Sequence, residues 1–152
     1  MALELDEQTR EFIGEHRVAH LATADARGQP LVIPICYVFD GERLYSPVDE
    51  KPKSRAPRQL KRIRNLAVNP RVSLVIDDYA EDWSRLAYVL IQGLAQVIEP
   101  GGEQADEHAR ATALLREKYA QYRVMAIDQR PMIKITPTRI KRWGAGLLPH
   151  RL

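Results

Sequence analysis

The stretch Arg64-Asn-Leu-Ala-Val-Asn-Pro-Arg-Val-Ser-Leu74 contains the boundary between a helix and a strand. Apolar residues in the segment 57–68 recur at helical spacing. Asn69 and Pro70 end this helix, because the residue before a proline disfavours helical backbone angles. The run of Val, Leu and Ile that follows predicts a strand over 71–77. The chain therefore passes directly from a basic helix into an apolar strand.

Hydrophobic periodicity and turn residues predict the remaining elements on both sides of this boundary. Helices are expected over 5–16 and 103–122, and strands over 18–23, 31–39, 43–47, 86–99 and 132–143. We expect the strand 86–99 to bend at Gly93 and the strand 132–143 to be interrupted at Pro137. The strand 31–39 is apolar on both faces, so we expect it to be buried. The order of elements contains no alternating βαβ run. It predicts a mainly β (α+β) chain, namely a six-stranded antiparallel β-barrel with peripheral helices.

Length and composition favour one globular domain. The chain has 152 residues, of which 45% are hydrophobic and 28% are charged, an ordinary globular balance. We expect a single domain over 1–152, with a core of about 5–144 and a tail over 145–152. The first residues lack the basic and apolar parts of a signal peptide. No stretch approaches the roughly eighteen apolar residues of a membrane span. The sequence therefore predicts a cytoplasmic protein with no membrane partner.

Positive charge is concentrated in one part of the chain, residues 51–64, which we call the basic segment. It contains no acidic residue and seven basic ones: Lys51, Lys53, Arg55, Arg58, Lys61, Arg62 and Arg64. The net charge of the whole chain is only +3, so the rest of the chain is acidic overall. Such a local excess indicates a specific anion site more than general binding of polyanions.

Charge alone leaves three interpretations of the basic segment open. It can be a solvated helix face, a surface for nucleic-acid phosphates, or a site for a cofactor phosphate. The segment has no interleaved aromatic residues, and no known nucleic-acid motif surrounds it. We therefore expect no nucleic-acid partner.

Several kinds of catalytic site have no support in the sequence. The four histidines do not have metal-site spacing, and Cys36 is the only cysteine. A buried core thiol is the simplest interpretation of Cys36. The chain has no GxSxG elbow, no GxGxxG motif and no phosphate-binding P-loop. We therefore expect neither a metal site nor serine catalysis, and the catalytic residues stay unknown.

Motifs along nearly the whole chain carry a family resemblance. In order they are Val18-Ala-His-Leu-Ala-Thr23, Gly28-Gln-Pro30, Val32-Ile-Pro-Ile-Cys-Tyr-Val-Phe39, Leu44-Tyr-Ser46, Arg64-Asn-Leu66, Asn69-Pro-Arg-Val-Ser-Leu74 and Pro137-Thr-Arg-Ile-Lys-Arg-Trp143. Their shared order and spacing resemble the pyridoxamine-phosphate-oxidase-like split barrels over about residues 5–144. Asp49-Glu-Lys-Pro-Lys53 and Asp82-Trp-Ser-Arg85 look like a subgroup described as coenzyme F420-dependent enzymes.

The resemblance implies a homodimer with a cofactor in each of two clefts between the subunits. It makes the region from Pro34 to Cys36 a candidate neighbour of the cofactor ring. It also suggests that Trp143 packs on that ring, and the alternative for Trp143 is a core aromatic that closes the last strand. The candidates for holding the cofactor phosphate are Ser46, Lys51, Lys53, Arg58, Lys61 and Arg62.

The resemblance also implies hydride transfer between reduced F420 and a small-molecule substrate, with the cofactor supplying the chemistry. The alternative cofactor is FMN, because both cofactors present a phosphate. F420 also carries a glutamate tail, and seven basic residues exceed the needs of one FMN phosphate, so the basic segment favours F420. A carrier that sequesters F420, FMN or haem without catalysis is a further alternative.

Overall fold

The computed structural model describes residues 3–48 and 60–147. The elements in chain order are α1 (Glu7–Glu15), β1 (Ala19–Ala24), β2 (Pro30–Ile35), β3 (Val38–Phe39), β4 (Leu44–Pro47), α2 (Lys61–Val68), β5 (Arg71–Asp78), β6 (Ala87–Ile98), α3 (Ala105–Lys118) and β7 (Met132–Gly144). Short 3₁₀ helices occupy Trp83–Arg85, Ala120–Val124 and Ile127–Gln129. The strands between helices therefore follow the predicted order.

The described strands form one seven-stranded sheet in the order β2-β1-β5-β6-β7-β4-β3, and every neighbouring pair is antiparallel. The two edge strands, β2 and β3, are consecutive in the chain. This one segment therefore pairs with β1 at one edge and with β4 at the other, and the sheet curls on itself. The predicted fold class, a mainly β split barrel with peripheral helices, is confirmed.

The strand count differs from the expected six because the predicted strand 31–39 is interrupted at Cys36 and Tyr37. There the backbone leaves the ladder: the Tyr37 amide donates to the Tyr119 hydroxyl over 3.1 Å, and the Tyr37 carbonyl accepts from Lys118 over 3.0 Å. We call residues 36 and 37 the strand break. Side chains at the end of α3 thus replace strand partners.

The expected burial of 31–39 on both faces is wrong for β2. Val32 is 61% exposed and Pro34 is also exposed, because β2 is an edge strand and its outward side is uncovered in the single chain. Pro30 and Pro34 suit this edge, since proline cannot donate a ladder hydrogen bond. Two-sided apolar character therefore marks a surface here, not a fully buried strand.

Two clusters of buried residues form the core. The larger one fills the barrel and includes Ile13, Leu21, Leu74, Ile91 and Ile135. The second lies between α3 and the outer side of the sheet, and includes Val38, Tyr45, Ile98, Leu115 and Met132.

Strands β6 and β7 contain the irregularity predicted near Gly93. The register shifts between Gln92 and Gly93, and Thr138 is the extra residue on β7. A Cβ atom at Gly93 would lie 2.5 Å from the carbonyl oxygen of Thr136, so the crossing requires glycine. The predicted interruption at Pro137 is wrong, because β7 continues through this residue by means of the bulge.

The helices end close to their predicted bounds. Helix α1 begins after Asp6, whose carboxylate accepts from the Thr9 amide over 2.7 Å. Helix α3 ends at Lys118, earlier than expected, and a 3₁₀ helix continues the chain. None of the helices in the described parts of the chain is long and apolar enough to span a membrane.

Candidate functional site

The position of α2 is fixed by a buried polar pair. The Asn65 side-chain amide donates to the Thr23 hydroxyl over 3.0 Å. These two residues are only 1% and 3% exposed. Since Ile63 and Leu66 also point into the barrel core, the opposite face of α2 is left to solvent. The Asn-Leu pair of the sequence motif therefore anchors the basic helix on β1.

A groove with three cationic side chains lies between α2 and the β1–β2 turn. We call it the basic groove: Arg27 from the turn and Lys61 and Arg64 from α2 line it, together with Asp25 and Val68. Val68 is 60% exposed. The groove therefore offers clustered positive charge beside a small apolar surface.

Asp25 is the one carboxylate among the residues that line the basic groove. Its oxygen Oδ1 accepts from the backbone amides of Gln29 and Arg27, each over 2.9 Å. These hydrogen bonds, with the more distant Lys61, hold the pKa of Asp25 below its usual value. Lys61 Nζ lies 3.8 Å from Asp25 Oδ2. One negative charge therefore faces three positive ones, and the groove is suited to bind an anion.

The structure separates the predicted phosphate-binding residues. Lys61 lines the basic groove, whereas Arg62 does not line it and is half-buried. Ser46 lies in β4 opposite Ile133 and is 3% exposed. It shares a side of β4 with Leu44 and Val48, which belong to the barrel core. Three further candidates lie outside the described residues: Lys51, Lys53 and Arg58.

The side of β1, β2, β5, β6 and β7 that points away from the barrel interior forms a second candidate surface, which we call the outer face. Paired residues of neighbouring strands make one row across it: Pro34, His20, Val75, Leu90 and Lys141.

An aromatic pair occupies the β6–β7 side of the outer face. Trp143 is 49% exposed and stacks on Tyr88, with ring centroids 5.8 Å apart and an interplanar angle of 26°. Asp77 pairs with Tyr88 on the other side. An accessible aromatic surface of this kind can pack on a planar ring system.

Pro34 and Trp143 do not meet within one chain. They lie on β2 and β7, which are four strand spacings apart in the sheet, or roughly 19 Å along its surface. Cys36 is half-buried and packs against the second core cluster. The predicted ring neighbours therefore sit at different places around the sheet.

Two residues of these candidate surfaces, Arg27 and Tyr88, carry no functional signal in the sequence. Arg27 lies in a turn that carried no anion-binding signal, and its approach to α2 depends on how that turn packs. Tyr88 was treated as an ordinary strand residue. Its contact with Trp143 follows from the β6–β7 register, and a strand pattern alone does not fix that register.

Metal-ligating side chains do not cluster in the described ranges 3–48 and 60–147: no three His, Cys, Asp or Glu residues there could together hold a metal ion.

Comparisons with known proteins agree with this architecture. The protein described as 5a,11a-dehydrotetracycline/5a,11a-dehydrooxytetracycline reductase, from Streptomyces rimosus subsp. rimosus, is 30% identical over 125 residues, which cover 82% of this chain and 72% of the reductase. The heme storage protein HutZ from Vibrio cholerae has the same fold, with a TM-score of 0.68 and 21% identity over 91% of this chain and 94% of HutZ. An F420 reductase has a TM-score of 0.60 and 20% identity over 90% of this chain and 98% of its own.

A sequence-family match extends over almost the entire chain. Residues 5–144 match the family described as pyridoxamine 5'-phosphate oxidase. This range runs from just before α1 to the end of β7, and it includes the basic groove and the outer face. The chain therefore belongs to the pyridoxamine 5'-phosphate oxidase family of oxidoreductases.

Proposed function

We propose that this protein is an F420-dependent oxidoreductase that acts on a small organic substrate. The observation that carries the proposal is the basic groove. Arg27, Lys61 and Arg64 present three cations there against one carboxylate, and four more basic residues precede α2 in the sequence, between positions 51 and 58. This is more charge than a single phosphate requires, and it suits a cofactor that carries both a phosphate and a chain of carboxylates.

Two of the similar proteins support this assignment. The relative from Streptomyces rimosus is named as a reductase, and a structure of the same fold is an F420 reductase. When bound, the deazaflavin supplies the hydride chemistry, and the protein supplies binding and orientation. The basic groove is the candidate site for the cofactor's anionic groups. Trp143, with Tyr88 behind it, is the candidate surface for its ring.

We further propose that the protein works as a homodimer formed through the outer face. Val32 is 61% exposed on β2, and Leu90 is only partly buried on β6, so a second copy would cover apolar surface that one chain leaves in water. Pro34 and Trp143 are too far apart to share a cleft within one chain. A two-fold arrangement offers a cleft in which such residues come from different subunits.

Equilibrium titration of purified apoprotein with F420, FMN, haem and a generic DNA duplex tests the cofactor. We expect F420 to bind most tightly. Arg64→Ala should weaken F420 binding at least about tenfold, because a charge-assisted hydrogen bond contributes about 1.5–3 kcal/mol. Arg110→Ala is the matched control, since Arg110 is also an exposed arginine on a helix, but on α3. It should leave the affinity unchanged.

Single variants Lys61→Ala and Arg62→Ala extend the test to the predicted phosphate ligands. Lys61→Ala should weaken F420 binding as Arg64→Ala does, and any larger effect of Arg62→Ala would show that the anion sits on the other side of α2. Tighter binding of FMN than of F420 would favour the FMN-dependent alternative. Tight haem binding without F420 binding would favour a carrier. Unchanged F420 affinity in both Lys61→Ala and Arg64→Ala would refute the role of the basic groove.

A further inference from the structure

The strand break at Cys36 and Tyr37 is held by two residues from a distant part of the chain. Lys118 is the last residue of α3, and Tyr119 follows it. Both side chains reach the break and also the loop between α1 and β1. Three segments that are far apart in sequence therefore meet here. We call the contacts of Lys118 and Tyr119 with the strand break and the α1–β1 loop the junction.

The Tyr119 hydroxyl is the first contact of this junction. It accepts a hydrogen bond from the Tyr37 amide over 3.1 Å. Its own proton has two acceptors within reach, the carbonyl of Arg17 at 2.7 Å and that of Tyr37 at 2.9 Å. Tyr119 is 9% exposed, so these backbone groups lie away from water and depend on it for partners.

The Lys118 ammonium is the second contact. Its Nζ donates to the carbonyls of His16 over 2.5 Å and of Tyr37 over 3.0 Å. It also lies 4.1 Å from the centre of the Tyr37 ring and 5.4 Å from that of Tyr119, within the range of cation–π attraction.

Burial and a neighbouring cation act on the Lys118 ammonium in the same direction. Burial lowers the pKa of Lys118 to about 8, and the guanidinium of Arg17 acts in the same direction. Cys36 is the neighbouring group that raises it. Arg17 in turn donates to the Lys118 carbonyl over 2.8 Å. This hydrogen bond is a further link between the α1–β1 loop and the end of α3.

These contacts also set the path of the backbone after β2. In an uninterrupted strand, Tyr37 would give its amide and carbonyl to a neighbouring strand. Here Lys118 and Tyr119 take both groups, so the direction in which the chain leaves β2 is set by the end of α3. The segment from Pro34 to Cys36, which leads from β2 into the break, is the candidate neighbour of the cofactor ring.

We propose that Lys118 and Tyr119 are positioning residues of the cofactor site, which hold the strand break so that the Pro34–Cys36 segment keeps its place beside the cofactor. The inference rests on the proposed function, because it takes that segment to be part of the cofactor cleft. It predicts that the state of the break, read locally at Cys36, changes together with cofactor affinity.

The rate at which Cys36 reacts with a disulfide reagent such as dithionitrobenzoate, corrected for the thiolate fraction from its pH dependence, reports on the break without any cofactor, since Cys36 is the chain's only thiol and is half-buried. We expect Lys118→Met to raise this rate about tenfold or more and to weaken F420 binding about tenfold. Lys118→Arg keeps a cationic donor. It should restore most of the F420 affinity and bring the Cys36 rate back close to that of the wild type.

Lys134→Met is the matched control. Lys134 is also a poorly exposed lysine, and it binds the carboxylate of Glu107 on α3 at 2.8 Å. Its removal should lower the stability to urea while leaving the Cys36 rate and the F420 affinity unchanged. If Lys118→Met fails to fold, Tyr119→Phe removes a single hydroxyl from the same junction and should give the same two effects.

Equal Cys36 rates in the wild type and both junction variants would overturn the proposal. So would a faster rate with unchanged F420 affinity, because the break would then be held for a reason unrelated to the cofactor. A wild-type protein that binds neither F420 nor FMN refutes the proposed function instead. In that case the Cys36 rates still show whether Lys118 holds the break.

Discussion

Replacement of Thr23 by valine tests whether the buried pair with Asn65 fixes the basic helix. Valine has nearly the shape of threonine, so the change removes the hydroxyl and little else. The Asn65 amide donates to that hydroxyl over 3.0 Å, and Asn65 is only 1% exposed. In the valine variant this buried amide loses the Thr23 acceptor. Leaving a buried donor unsatisfied costs about 1–3 kcal/mol, which corresponds to a fall in Tm of about 2–4 °C per kcal/mol for a chain of this size.

Urea denaturation followed by circular dichroism measures this loss, and Thr136→Val is the control because Thr136 is exposed on β7. The control should stay within about 0.5 kcal/mol of the wild type. Asn65→Leu completes a double-mutant cycle: Thr23→Val together with Asn65→Leu should cost less than the sum of the two single changes. A Thr23→Val protein as stable as the control, or strict additivity of the two changes, would refute the anchoring role of this pair.

Three further predictions concern other parts of the molecule. Gly93→Ala should lower the free energy of unfolding by about 1–3 kcal/mol in urea, because the new methyl group would lie 2.5 Å from the Thr136 carbonyl oxygen and the strands must move apart. Asp6→Ala should cost about 1 kcal/mol at pH 7 through the lost helix cap. The hydrogen bond from the capped amide lowers the pKa of Asp6, so its contribution is complete above the unfolded pKa of about 3.9, and the difference from the wild type should shrink in urea titrations as pH falls from that value through the lower folded-state pKa. Binding of F420 should quench indole fluorescence, and Trp143→Leu should remove most of that quenching while Trp83→Leu does not; equal quenching in both variants would contradict a ring contact at Trp143.

Features of the fold that depend on short stretches of sequence were predictable. The end of α2 at Asn69 and Pro70 was predictable because proline restricts the residue before it. The irregularity near Gly93 was predictable because glycine in a strand marks a close approach. Both features depend on a few adjacent residues.

Features that depend on packing were not predictable in this way. The apolar run 31–39 has the composition of a buried strand, but exposure depends on which element covers it, and β2 lies at an edge. Likewise, Arg27 joins the basic groove only because the β1–β2 turn packs beside α2. The charge of the groove was visible in the sequence from Lys61 and Arg64, whereas its third cation was not.

The pairing of β4 has a consequence for how the protein is made. Leu44 pairs with Ile135. Nearly a hundred residues separate the two in sequence, so β4 leaves the ribosome well before its partner β7. Until β7 emerges, β4 has only the two-residue strand β3 beside it. Because unpaired strand edges in incomplete chains favour aggregation, we expect nascent chains that stop before β7 to depend on chaperones, and the barrel to close only after β7 has emerged.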